Sequence, residues 1–366
     1  MPEQRGSCVD EAMMRRALVL ARTHLGATGS NPSVGCVIVS PDGQTVLGEA
    51  VTARDGRPHA EPQALSLAGP AARGATAYVT LEPCSHFGKT PPCADALIDA
   101  GIARVVVGLQ DPDERVAGRG LARLEAAGIA VTRGVLEAEG RHLLAGYLLR
   151  KTAGRPLVTV KLAVSADGTI GRRGGGQVAI TGPEARADVH RLRAESDAIL
   201  VGIGTALEDD PMLDVRLPGL EDRSPLRLIL DRGLALPVES KLAQTAGRVP
   251  TRVVTAPGAR ALQPERVAAL ASAGVAVQEV EGLMTLLDDL GAEGLSNLMV
   301  EGGAQVIRSF LEADRIDRLR LFTGRVRIGP EGVETPFPES LLAERFALVQ
   351  EEQVGADTAR HFERIR

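Results

Sequence analysis

The sequence contains no tryptophan, and aromatic residues make up only 2% of it. Stacking platforms of the kind that single-stranded nucleic-acid binders use are therefore scarce. Basic residues are not in excess either: 42 Lys and Arg against 47 Asp and Glu leave a net charge of -5. The chain as a whole thus offers no attraction to a phosphate backbone or an anionic lipid surface. No apolar run approaches the ~18 residues that a membrane span needs, and the opening MPEQRGSCVDEAMMRR is too polar for a signal-peptide core. These absences lead us to expect a protein of the cytoplasm with neither membrane nor nucleic acid as partner. Four cysteines in 366 residues, without a secretory signal, read as free thiols or metal ligands rather than a disulfide framework. What remains is ordinary for a globular protein, with 44% hydrophobic and 24% charged residues, which excludes disordered and collagen-like classes. The length predicts two domains or one large barrel.

Local patterns alternate between helix and strand. In the first half, Asp10 is placed to cap a helix running to about His24, and strands are expected at 34–39 and 46–51. A helix follows from near His59, a strand at 75–81, a helix at 94–100 and a β-branched strand at 104–109. A helix at 121–127, a strand at 129–135 and one helix over 137–149 complete this half. The Gly/Pro break at Lys151–Pro156 marks the domain boundary, giving domains 1–150 and 156–366. The second half predicts strands at 157–164, 198–201, 226–230, 252–255, 275–280, 298–300 and 319–323. Helices are expected at 184–193, 283–290 and 304–312, with a glycine-rich loop at 168–176. The fold class is therefore layered α/β in both halves.

The strongest chemical signal is His59-Ala60-Glu61, followed by Pro83-Cys84 and Cys93. One imidazole and two thiolates suit tetrahedral zinc, with the fourth position open for water, and an open position means catalysis. Glu61, two residues from the histidine, is placed to shuttle protons beside that water without being a ligand. The arrangement matches the H-x-E and P-C elements of zinc nucleobase deaminases, except that eight residues rather than two separate the cysteines. That insert carries His86, Lys89 and Gly88 and is a candidate phosphate clamp. Cys8 and Cys36 have no second ligand cluster near them in sequence and read as structural. In the second half, Leu298-Met-Val-Glu-Gly-Gly-Ala304 is a strand running through paired glycines into a helix, where backbone N–H groups can approach a phosphate. A simple tight turn is the competing reading.

The run Thr80-Leu-Glu-Pro-Cys-Ser-His-Phe-Gly-Lys-Thr-Pro-Pro-Cys93 resembles the zinc signature of the bifunctional deaminase/reductase family of riboflavin biosynthesis. Asn31-Pro-Ser-Val-Gly35, Gln110-Asp-Pro112 and Val116-Ala-Gly-Arg-Gly120 are similar to other elements of that family. Lys161–Thr169, Arg186 to Arg193 and Thr205–Arg216 follow in the order of its reductase domain. The resemblance implies a cytidine-deaminase-like three-layer domain followed by a dihydrofolate-reductase-like domain. It also implies zinc-dependent deamination of a phosphoribosylated diaminopyrimidinone, then NADPH-dependent reduction of the ribosyl group to ribityl, in a homo-oligomer, a dimer.

Carried over residue by residue, His59, Cys84 and Cys93 would hold zinc, Glu61 would be catalytic, and Asn31, His86, Lys89 and Asp111 would bind the first substrate. In the reductase half, Ala163, Ala179, Thr205, Asp209, Gly303, Ala304, Gln305, Val306, Ile307, Arg308 and Ser309 would contact NADPH. Gln177, Arg193, Leu213, Arg216 and Glu301 would contact substrate. The chain departs from the family pattern at Gln63 and Thr52, where histidines are expected, and at Ala179, where the family commonly has tryptophan. Gln63 and Ala179 keep open an alternative: a zinc deaminase of another pyrimidine with a non-reducing accessory domain. A nucleic-acid base editor fits less well, since the acidic chain advertises no basic channel.

Overall fold

The structure is a computed structural model that describes residues 2–88, 90–172, 174 and 178–365, with side chains from residue 8 onward. The chain divides into two compact units, Met1–Gly154 and Arg155–Arg366.

In the first unit, β1 (Gly35–Val39), β2 (Val46–Val51), β3 (Thr76–Leu81), β4 (Arg104–Leu109) and β5 (Ala130–Arg133) form one sheet in the order β2-β1-β3-β4-β5. β1 runs antiparallel to β2 and β3, and β3, β4 and β5 are parallel. All five residues of β1 are buried, as expected of a central strand covered on both faces. Side chains alternate between the faces. Val37, Val39, Tyr78 and Val106 pack under α1 (Pro2–Thr23) through Met14, Ala17 and Leu18. Cys36, Ile38, Val79, Val105 and Val107 pack under α2 (Ala60–Ala68), α3 (Cys93–Asp99) and α4 (Arg119–Ala126). Three layers result.

Two local expectations change here. The helix expected over 137–149 is two, α5 (Glu137–Leu143) and α6 (Ala145–Ala153), because Leu144 between them leaves helical geometry at φ -94 and ψ 12. Asp10 is not a cap but lies inside α1, buried, where its carboxylate accepts from Tyr78 Oη at 3.0 Å and from both terminal nitrogens of Arg104 at 2.9 and 2.6 Å. A polar side chain on the inner face of a helix needs such partners, and a lone sequence window cannot show them.

The second unit is built on nine strands: β6 (Leu157–Val164), β8 (Ala198–Gly202), β9 (Leu226–Leu230), β10 (Thr251–Thr255), β11 (Ala276–Glu279), β12 (Asn297–Glu301), β13 (Arg318–Thr323), β15 (Phe346–Val354) and β16 (Asp357–Arg364). Their order is β11-β10-β9-β8-β12-β6-β13-β16-β15, parallel from β11 to β13 and antiparallel over the last two. β7 (Thr169–Arg172), within the stretch expected to be loop, pairs with β14 (Gly332–Glu334). One face of the large sheet carries α7 (Pro183–Ala194), α8 (Ile203–Asp209), α9 (Lys241–Gln244), α10 (Ala259–Leu262) and α11 (Pro264–Ser272). The other carries α12 (Leu283–Ala292), α13 (Ala304–Glu312) and α14 (Glu339–Arg345). The hairpin β15–β16 escaped sequence reading because β15 is an edge strand whose residues from Ala347 to Glu351 are exposed, so it has little apolar alternation.

Gly35 shows how tightly the first unit is built, since a Cβ there would collide with the carbonyl oxygen of Ala17 in α1. Gly35→Ala is expected to lower stability by ~1–3 kcal/mol through overpacking. A reduced urea midpoint of the first unfolding transition, followed by circular dichroism, checks it.

Candidate functional sites

His59 is the residue that precedes α2, Cys93 is the first residue of α3, and Cys84 lies just beyond β3. Sheet and helices thereby bring three distant stretches of sequence together. His59 Nδ1 lies 3.3 Å from Cys93 Sγ and 3.7 Å from Cys84 Sγ, and the three donor atoms fall within 4.8 Å of one another. Tetrahedral zinc, with bonds of ~2.0–2.3 Å, needs donors ~3.5–3.8 Å apart. The donor set fits the metal in both chemistry and spacing.

The local field prepares the ligands. The backbone N–H of Cys93, at the positive end of α3, donates to Cys84 Sγ at 3.3 Å, which favours a thiolate. Hydrogen bonding from Cys93, and secondarily from His59, draws the Cys84 thiol down to about 4, while Cys93 is pushed up by its bond to Cys84 and by burial. Glu61 is 3% exposed, and burial together with the Cys84 sulfur pushes its carboxyl up. Gln63 occupies the position of an expected histidine and supports the site through the backbone: its amide donates to the carbonyls of Val51, Pro58 and His59 at 2.8–3.0 Å. Thr52, the other departure, accepts from Val34 N at 2.9 Å.

Thr52, His59, Glu61 and Cys84 line a cavity of about 550 Å³ that is also lined by Asn31, His86 and Asp111, a volume suited to a small molecule. Asp111 is 6% exposed and accepts from Tyr147 Oη at 3.0 and 3.1 Å, and burial raises its carboxyl. Lys89 lies outside the described residues. Sequence reasoning missed Arg57, Tyr147, Arg150 and Lys151, which line the same cavity. The last three stand on α6 beside the Gly/Pro break, where composition signals a boundary and hides a wall.

Glu82, buried beside the cavity, holds this side of the site in place. Its carboxylate accepts four backbone N–H groups, from Asp111 at 3.2 Å, Gly118 at 2.9 Å, Gly120 at 2.9 Å and Leu121 at 3.3 Å. One side chain thus caps the start of α4 and fixes the backbone of Asp111.

In the second unit, β8 leads through α8 to β9 on one side, whereas β12 leads through α13 to β13 on the other. Where connections diverge at the carboxyl ends of parallel strands, a crevice forms that commonly binds ligand. Gly302 and Gly303 turn there at φ 81 and 78, and a Cβ on Gly303 would stand 3.1 Å from Thr205 Oγ1. Thr205, Gly303 and the start of α13 are therefore brought together. Ala304 is half-buried and Gln305, Arg308 and Ser309 are exposed, but Val306 and Ile307 are core residues, so only their backbone can face a ligand. Asp209 ends α8, with its carboxyl raised by burial, and Ala163 is half-buried in β6. Ala179 is exposed, and Gln177 lies outside the described residues.

A second cluster sits at the end of β12. Arg193 donates to Glu301 Oε2 from Nε at 3.1 Å and from Nη2 at 2.7 Å, and from Nη1 to the Asp214 carbonyl at 3.0 Å. Lys161 Nζ stands 3.6 Å from Glu301 Oε1. Burial pushes Glu301 up, yet the charges of Arg193 and Lys161 hold it below the usual carboxylate range. Arg216 is tied in through its backbone N–H to His190 Nδ1 at 3.4 Å, with its side chain 62% exposed. Leu213 is buried, at φ 50. Lys161 opens a motif noted in the sequence, but its role in this trio needs the register of β6 on β12, which aligns Lys161 with Glu301.

Beneath this segment lies Arg227, fully buried. It donates to Thr251 Oγ1 at 3.0 Å, Met212 O at 2.9 Å, Thr245 Oγ1 at 2.8 Å, Leu242 O at 3.1 Å and Val249 O at 2.8 Å. Burial lowers its guanidinium to about 10.

Residues 156–359 match the family model of the RibD C-terminal domain, and residues 8–109 that of the cytidine and deoxycytidylate deaminase zinc-binding region. The riboflavin biosynthesis protein RibD of Escherichia coli is 40% identical over 375 residues, covering 96% of this chain and 98% of that protein. The chain belongs to the RibD family. Its RibD relative from Aquifex aeolicus is 41% identical, covering 86% of each chain. The RibD structure from Acinetobacter baumannii superposes with a TM-score of 0.86 at 36% identity, covering 98% of this chain and all of that one. A structure from Thermotoga maritima, described as a diaminohydroxyphosphoribosylaminopyrimidine deaminase/5-amino-6-(5-phosphoribosylamino)uracil reductase, gives a TM-score of 0.86 at 31% identity with the same coverage. As a RibD protein the chain combines a cytidine-deaminase-like N-terminal domain with a RibD-type reductase domain. No helix among the described residues is long and apolar enough to cross a membrane.

Replacing Glu82 by glutamine in this RibD would swap one acceptor for an N–H donor facing N–H groups. Glu82→Gln is expected to cost ~1–3 kcal/mol of stability through unsatisfied donors, read as a lower midpoint for the first unit.

Proposed function

We propose that this chain performs both reactions named for its Thermotoga maritima relative, deaminating a phosphoribosylated diaminopyrimidine and then reducing its ribosyl group to ribityl. The observation that carries the reading is the triangle of His59, Cys84 and Cys93 with Glu61 buried beside it in a cavity. His59 Nδ1 and the two sulfurs would hold zinc, which when bound acts as a Lewis acid and brings water ionisation toward neutrality. Glu61 would hold a proton at its carboxyl and return it to the departing amine, a role that its raised carboxyl supports. Asn31, His86 and Asp111, on the cavity wall, would orient the pyrimidine, and Lys89 would join them from the same loop.

In the second unit, NADPH when bound supplies the hydride, so the protein's part is positioning. Thr205, Asp209 and the segment 303–309 would receive the cofactor at the crevice beside Gly302 and Gly303, with Ala163 and Ala179 contributing. Arg193, Leu213, Arg216 and Glu301 would hold the substrate, together with Gln177. The charges of Arg193 and Lys161 offset the burial of Glu301 and leave a polar, mainly cationic corner suited to a phosphorylated sugar. On the strength of the family resemblance, we also propose a homodimer in the cytoplasm.

Ammonia release and NADPH oxidation, measured with the diaminopyrimidinone substrate, zinc and NADPH, test the whole reading. Ammonia without NADPH oxidation would remove the reductase, and neither signal would remove both. Glu61→Gln is expected to retain zinc and lower ammonia release by ~10²–10⁴-fold, while sparing NADPH oxidation on substrate that is already deaminated. Arg193→Ala should do the reverse, sparing ammonia release and lowering reduction.

A further inference from the structure

Five of the six phenylalanines are core residues: Phe310, Phe322, Phe337, Phe346 and Phe362 are between 0 and 6% exposed. Phe87 is 74% exposed. A single exposed apolar side chain on an outer surface calls for no explanation. Phe87, however, lines the cavity that holds His59 and Glu61. In a chain with no tryptophan and two tyrosines, an aromatic ring turned toward a catalytic cavity has a clear chemical use.

The loop that carries the ring is anchored. Its two ends are Cys84 and Cys93, which belong to the donor triangle. Between them, Arg57 Nη1 donates to Thr90 Oγ1, and Gly88 N donates to the Thr90 carbonyl at 3.3 Å. Arg57 comes close to the loop backbone: a Cβ on Gly88 would stand 3.1 Å from its Nη2. The residue that follows Phe87 thus stands close to a guanidinium, which fixes the backbone beside the ring.

One other phenyl-type ring lines this cavity among the described residues, that of Tyr147. Its hydroxyl is committed to Asp111, and Arg150 and Lys151 lie over its ring at 5.6 and 5.7 Å. A flat heterocycle with amino and carbonyl edges can satisfy those edges on Asn31, Asp111 and His86, but its faces need an apolar partner. Of these two rings, Phe87 is the one with an open face, at 74% exposed against 6% for Tyr147.

We propose that Phe87 presents its ring face to the pyrimidine bound in the deaminase cavity and sets the affinity of that site for planar heterocycles. This inference rests on the deaminase reading above. It assigns Phe87 to substrate binding, with Arg57 as a positioning residue that acts through Thr90 and the loop.

The absence of tryptophan makes a direct test possible. Phe87→Trp in the full zinc-loaded chain introduces a single tryptophan, and titration with the deaminated product, 5-amino-6-(5-phosphoribosylamino)uracil, without NADPH is expected to quench or shift its emission in a saturable way. The midpoint should equal the inhibition constant of that product for ammonia release. In parallel, Phe87→Ala should raise KM for ammonia release by about tenfold, the size of a lost base–aromatic stack, with kcat changed less than threefold. Phe87→Tyr should restore KM and Phe87→Leu should do so only in part. Zinc content and unfolding midpoint should stay at wild-type values, because the ring is exposed. A KM for Phe87→Ala within twofold of wild type, or tryptophan emission indifferent to saturating product, overturns the proposal while wild-type ammonia release leaves the deaminase reading intact. A wild-type chain that releases no ammonia overturns both.

Discussion

The first unit depends on one convergence: the His59 side chain just before α2 and the backbone N–H of Cys93 at the start of α3 both reach the sulfur of Cys84. His59 and Cys93 occupy those two starts, so their donor atoms come within reach of that sulfur without any long side chain having to be ordered. The exposed N–H groups of a helix start favour negative charge, and a thiolate is what a metal requires. The same convergence sets the cavity, because Glu61 is one residue into α2 and the loop with His86 and Phe87 spans the gap between the two sulfurs.

The second unit solves a different electrostatic problem. Glu301 is buried at the end of a central strand, where an isolated carboxylate would be costly. Arg193, from a helix, and Lys161, from the neighbouring strand, surround it. Sheet register supplies Lys161 and helix packing supplies Arg193, so the trio exists only once the layers have closed. The paired glycines that follow Glu301 then pass close to Thr205, which links this trio in sequence to the crevice at the start of α13.

Much of this was legible in the amino-acid order, and the reasons are physical. Strands such as β2, β6 and β9 have the residues expected from β-branched runs bounded by turn formers, and α13 begins after its glycines as read. The grouping of His59, Cys84 and Cys93, whose donor atoms the fold brings within 4.8 Å of one another, was legible because few residue types bind zinc and their neighbours are distinctive. Groups whose role comes from tertiary partners were not. Glu82 looks like one residue of a motif until four backbone donors meet on it. Asp10 passes for a cap until Tyr78 and Arg104 are folded against it. Tyr147, Arg150 and Lys151 look like the approach to a linker, and only closure of the unit makes them a cavity wall.

Arg227 shows how a buried cation can be hydrogen-bonded by neutral oxygens alone among the described residues, with the charge of Asp214 acting on it as well. All five of its donated bonds end on carbonyl or hydroxyl oxygens drawn from three separate stretches of chain. Such a guanidinium acts as a template: lysine offers fewer donors and no planar fork, so the shape of the oxygen cage demands arginine. One of those oxygens belongs to Met212, immediately before Leu213 and Asp214. That loop is consequently moulded from the inside, while the Arg216 side chain, two residues past Asp214, lies largely outside, 62% exposed and 3.2 Å from the Asp214 carboxylate.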